Sequence, residues 1–61
     1  MTYDDMIVEL TRECVRLKTK NTEPMYTGGT LLGMAKAFAI AGNLDEDTSY
    51  NLYDLAIELA K

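Results

Sequence analysis

Residues 27–42 read TGGTLLGMAKAFAIAG. Between Leu31 and Ala41 the only polar side chain is Lys36. A surface helix carries one apolar stripe and one charged face, whereas a helix that is apolar nearly all round must be covered on most sides. The run is too short to cross a bilayer, which takes roughly 20 apolar residues, so the expected cover is protein. The stretch predicts a central helix over 28–42, capped by Thr27 or Thr30. Gly42 with Asn43 behind it is a normal C-terminal stop. Leu31, Met34 and Phe38 form the bulky face. Gly29, Gly33, Ala37 and Ala41 recur every four residues as a ridge of small side chains. A glycine at 33 costs about 0.5–1 kcal/mol relative to alanine in a helix interior, so a close helix contact is expected along that ridge.

The whole chain is 61 residues. A domain of this size gains little from one core and usually adds disulfides, a metal or a partner chain. One cysteine and no histidine exclude an internal disulfide and leave no structural zinc site. Oligomerisation is the remaining stabiliser. The fold class expected is all-α: a single domain over 1–61, a three-helix bundle-like protomer whose apolar central helix is completed by homo-oligomerisation.

Upstream, helix 1 is predicted over 3–19. Thr2 is its N-cap, with Asp5 in the third helical position as a capping-box variant. Tyr3, Ile7, Leu10, Cys14 and Leu17 recur at spacings of four and three, the seam of a packed helix. Asp5, Glu9, Arg12, Arg16 and Lys20 lie on the other side, acids first and bases last, as the helix macrodipole favours. Val8 and Val15, seven apart, sit off the main stripe; they belong either to an interchain contact or to the scattered apolar residues of any surface. Residues 20–27 are read as the loop, because Asn21, Thr22 and Pro24 interrupt a helix.

Downstream, helix 3 is predicted over 46–60, with Asp45 as N-cap, Leu44 as staple, and Glu46 and Asp47 in the first turn. Leu52, Leu55, Ala56 and Leu59 make one stripe, and Tyr50, Tyr53, Ile57 and Ala60 a second beside it. Asn51, Asp54, Glu58 and Lys61 fill the wet face.

The net charge is −4, and it is uneven. Residues 1–43 balance, whereas 44–61 set Asp45, Glu46, Asp47, Asp54 and Glu58 against Lys61 alone. Binders of duplex nucleic acid show a basic footprint; this chain has none, so no duplex partner is expected, and no membrane partner either. Met1 leads straight into polar residues, so no signal peptide is expected. A free cysteine fits a reducing interior, which makes the cytoplasm the expected compartment.

The pattern Gly29-x-Leu31-x-Gly33-Met34, then Ala37, Ala41-Gly42-x-Leu44, Tyr53 and Leu55-Ala56, resembles small uncharacterised helical proteins of phages and prophages of Gram-positive bacteria. The likeness covers residues 26–59. It implies a viral accessory protein acting in the host cytoplasm, of the kind that often inhibits host defence or host regulators.

Thr27-Gly28-Gly29-Thr30 at the expected helix start is the best candidate site. Free N–H groups and a partial positive charge favour an anion there, and glycines let a ligand near the backbone. Lys18 and Lys20 at the end of helix 1 would add charge, and Tyr26 a surface for stacking a base. A threonine cap with tightly packed glycines explains the same residues without a ligand. The lysine and second glycine of a P-loop are missing. Asp45, Glu46 and Asp47 lack the spacing of a calcium loop and read as caps, so no metal or cofactor is expected. Cys14 has no histidine to activate it and reads as a small buried residue.

Three functions follow, none of them enzymatic. The first is capture of a phosphorylated small molecule or nucleotide signal at the N-terminus of helix 2 in an oligomer, with Gly33, Ala37, Ala41, Tyr50 and Tyr53 at the interface. The second is a protein-binding inhibitor or regulator that docks its helices, or its acidic third helix, on a host protein. The third is a structural accessory subunit.

Overall fold

Three helices and no strand make up the computed structural model, which describes residues 1–61: α1 spans Tyr3–Thr19, α2 Pro24–Ala41 and α3 Glu46–Ala60. They run up, down and up. The end of α2 meets the start of α1 where Gly42 faces Met6, and the start of α2 meets the end of α3 where Gly28 faces Ala60. The fold is an all-helical three-helix bundle.

Each end of α1 is closed by its own sequence. The Thr2 hydroxyl accepts from the Asp5 N–H at 3.1 Å, and the Asp5 carboxylate accepts from the Thr2 N–H at 3.1 Å. This reciprocal pair satisfies two of the amides that a helix start leaves without partners. At the other end Asn21 turns left-handed, at φ 57°. That turn directs its N–H to the Lys18 carbonyl and the Thr22 N–H to the Leu17 carbonyl. The end of α2 repeats the device: Asn43, at φ 50°, donates to Ile40, and Leu44 donates to Ala39. Both turns are Schellman motifs with asparagine in the position that glycine most often takes. Gly42 itself is right-handed, at φ −86°. Its lack of a side chain serves packing, since a Cβ there would lie 2.6 Å from the Met6 methyl.

The second helix begins four residues before the expected Gly28. Pro24 opens it rather than interrupting the chain. A proline at the first helical position has its φ already set and lacks only an N–H that the helix start does not use. Its restriction falls on Glu23, which is extended at ψ 140°. Residues 24–27, read from the sequence as loop, are therefore helical. At the start of α3 the Asp45 carboxylate accepts from the Thr48 N–H at 2.9 Å.

The core is thin. Met6, Leu10 and Cys14 of α1 meet Leu31 and Ala35 of α2 and Leu52 and Ala56 of α3, and Leu17 and Ala39 are buried as well. Met6 replaces Tyr3 and Ile7 in the centre of the α1 seam; those two pack at its edge. The α1 face is thus turned toward Met6, which fills the space left by Gly42. Met34 and Phe38 also sit at the edge, with alanines behind them at the centre. Small residues at 35, 39 and 56 let α2 lie close to its neighbours, and α2 packs more broadly on α3 than on α1.

Candidate interaction face

The seven residues read as a ligand site differ in burial and in what they touch. Because α2 starts at Pro24, Thr27 to Thr30 lie beyond the turn whose amides are free, and the Thr27 N–H already donates to the Glu23 carbonyl at 2.9 Å. Thr27 is buried in the core and its hydroxyl has no hydrogen-bond partner. Gly28 faces α3, where a Cβ would touch the Ala60 Cβ at 3.6 Å. Gly29 faces outward, Thr30 is half-buried and Tyr26 is exposed. Lys18 reaches the Lys61 carbonyl oxygen at 3.4 Å, and Lys20 closes α1 through its backbone N–H, with its side chain in water. The first-turn amides of α2 are accordingly those of Met25 and Tyr26, with no side-chain cap, and residues 27–30 follow one turn further along the helix.

What the bundle leaves on its outside is a face of α2. Tyr26 is 65% exposed and Ile40 is 81% exposed. Gly29, Gly33 and Ala37 between them are exposed too, and at both glycines a Cβ would meet no atom within 4 Å. Tyr26, Gly29, Gly33, Ala37 and Ile40 follow one another at steps of three, four, four and three. At 3.6 residues per turn this places all five within about 80° of arc. The order is mirrored about Gly33: large, small, small, small, large. Lys36 supplies the only charge along α2. Ala41 is exposed at the end of the helix, rotated away from this stripe.

No known protein family, curated protein or solved structure matches the chain. Its functional reading therefore rests on its own residues.

Beyond α2, the Tyr50 and Tyr53 rings on α3 meet edge to face, with centroids 6.0 Å apart and planes at 75°. Tyr50 is exposed and Tyr53 half-buried. Such amphipathic rings suit a surface that is half wet. A second apolar surface lies on the far side of α1, a shallow groove of about 370 Å³ lined by Ile7, Val8, Thr11, Arg12 and Val15. The seven-residue spacing of Val8 and Val15 is its trace in the sequence. No group of three or more acidic, cysteine or histidine side chains is placed to hold a metal. No helix is long and apolar enough to cross a membrane.

Three ion pairs form, each within one helix or its cap. Arg16 donates to both carboxylate oxygens of Glu13 from one edge of its guanidinium, with Nε 2.6 Å from Oε1. That bond keeps the Glu13 carboxyl below its ordinary range. Arg12 meets Glu9 at 3.4 Å, and Lys61 meets Glu58 at 2.9 Å. These exposed pairs contribute little stability. Asp4, Lys18 and Lys36 take part in none of them.

Proposed function

We propose that this chain is a non-enzymatic association protein that works as a homo-oligomer, with α2 pairing antiparallel to the α2 of a second copy about a two-fold axis at Gly33. The observation that carries this reading is the empty space at Gly29 and Gly33. Each glycine inside a helix costs about 0.5–1 kcal/mol relative to alanine, and nothing in the protomer uses the room they leave. Close approach of another backbone offsets that cost. A two-fold rotation about Gly33 sets Tyr26 of each copy near Ile40 of the other and Gly29 near Ala37, so the same patch meets itself, as an isologous interface requires. The antiparallel direction also opposes the two helix dipoles.

Replacing Gly33 by leucine separates assembly from folding. The new side chain enters open space in the protomer, so resistance to urea should hold or rise. The pairing should be lost, read as a fall in mass by sedimentation or light scattering. An oligomer unchanged by Gly33→Leu would sink the proposal.

Capture of a phosphorylated small molecule or nucleotide at the start of α2 is the second reading. What favours it is that the amides of Met25 and Tyr26 stand at the positive end of the helix with no side-chain cap, and that Tyr26 is exposed beside them. Calorimetric titration with inorganic phosphate and a set of cyclic nucleotides tests it. Binding abolished by Tyr26→Ala would support it, and no heat from any of these would remove it.

A further inference from the structure

The outer side of α1 carries a second self-complementary seam, and it differs from the α2 face in being written in charge. Asp4, Val8, Thr11, Val15 and Lys18 follow at steps of four, three, four and three, the spacing of a helix that packs along one line. The seam lies about a third of a turn round α1 from the buried Met6, Leu10, Cys14 and Leu17, and all five of its residues are exposed. Val8 and Val15 line the groove together with Thr11, and Ile7 extends it on one side. Thr11 does not make the groove polar, because its hydroxyl donates to the Ile7 carbonyl at 2.8 Å. Arg12 on the rim is held by Glu9. What remains unmatched is at the ends: Asp4 at one, and at the other Lys18, whose ammonium keeps donors beyond its single 3.4 Å contact with the Lys61 carbonyl.

We infer that this seam docks a second copy of the chain, α1 against α1, antiparallel about a two-fold axis at Thr11. Asp4 and Lys18 each stand seven residues from Thr11, so the rotation brings Asp4 of each copy to Lys18 of the other. Val8 comes within a residue of Val15 of the other copy, and the two Thr11 side chains meet on the axis. A parallel pairing sets Asp4 against Asp4 and Lys18 against Lys18, which like-charge repulsion opposes at both ends. The occupant is fixed by this match, since the surface that complements an acid–valine–threonine–valine–lysine line read in one direction is the same line read in the other. The inference is independent of the α2 pairing. With both faces in use, each copy has two different two-fold neighbours, and the assembly either closes as a tetramer or extends as a chain.

The test uses the full chain carrying Gly33→Leu, in which α2 pairing is blocked and only the α1 seam is left. Sedimentation at high micromolar concentration should show a dimer that Val8→Glu with Val15→Glu reduces to a monomer. Asp4→Lys alone and Lys18→Asp alone should each weaken that dimer by about fivefold, and the two together should restore it. As a second measurement, with Cys14→Ser in place, chains carrying Asp4→Cys and chains carrying Lys18→Cys should cross-link to each other on mild oxidation more readily than either links to itself. A Gly33→Leu chain that stays monomeric overturns the α1 inference while leaving the α2 pairing to be judged from the unsubstituted chain. Preferred self-linking of the Asp4→Cys chain, or a dimer indifferent to the charge exchange, also overturns it.

Discussion

The thiol of Cys14 donates to the carbonyl oxygen of Leu59 across 3.1 Å, from the middle of α1 to the last turn of α3. The final carbonyls of a helix have no amide of their own helix to accept from. Cys14, a buried residue, satisfies one of them inside the bundle. The cysteine is a tie between two helices that otherwise touch little.

Cys14→Ala should therefore destabilise the fold by about 1–2 kcal/mol, from a lost donor and a small void. Urea unfolding should show a lower midpoint with an unchanged slope. The same burial governs reactivity: a thiol reagent should label Cys14 no faster than the chain opens. Rapid stoichiometric labelling of the folded protein would show that the sulfur is not where this contact puts it.

The two left-handed asparagines offer a gain. An L-residue in that conformation carries strain of about 1–2 kcal/mol, which asparagine bears better than most and glycine avoids. Asn43→Gly should raise thermal stability, and Asn43→Ala should lower it by about 1 kcal/mol. Asn21 should follow the same order. If alanine is tolerated as well as glycine at both positions, the turns do not carry the strain their φ angles imply.

How far these features could be read in advance varies with their physics. The three helices and the caps Thr2 and Asp45 are written in local sequence, because capping needs only a side chain and an amide three residues away. The start of α2 is not, since Pro24 is equally suited to a loop and to a first helical turn. That choice moves Thr27 from a cap to the core and leaves Met25 and Tyr26, rather than residues 27–30, in the first turn. The Gly29–Gly33 ridge was legible as a place for close contact, but not as one that α1 and α3 leave uncovered. Which side of a nearly uniform apolar helix faces inward depends on its neighbours, and α2 has no charged face to settle its rotation. Met6 escaped for a similar reason: its place in the core depends on the absence of a side chain at Gly42, a residue far along the chain.

Thr27 tests the core directly. Its hydroxyl is buried without a partner, and such a group costs about 1–3 kcal/mol. Valine has nearly the same shape without the hydroxyl. Thr27→Val should stabilise the fold by about 1 kcal/mol, measured as a higher urea midpoint. A loss of stability would mean that the hydroxyl turns back to the carbonyl of Glu23, four residues earlier, as threonines in helices often do.

Acid should loosen the bundle through its caps. The Thr2 backbone N–H, and then its side chain, holds the Asp5 carboxyl below its ordinary value. Hydrogen bonds from the side chain and backbone of Thr48 do the same for Asp45. A carboxyl depressed in the folded state adds stability that is fully present above its unfolded value and is lost as pH falls through the folded one. Helicity and urea resistance should thus be flat near neutrality and decline below about pH 4. Both groups are exposed, so the decline should be shallow. Asparagine caps a helix about as well as aspartate but does not titrate in this range. Asp45→Asn should keep the bond from Thr48 and remove its share of the decline, and adding Asp5→Asn should flatten the curve further. An acid profile identical in the double variant would place the sensitivity elsewhere, with Glu13 and its Arg16 partner the next group to replace, since that carboxyl is depressed by the same physics.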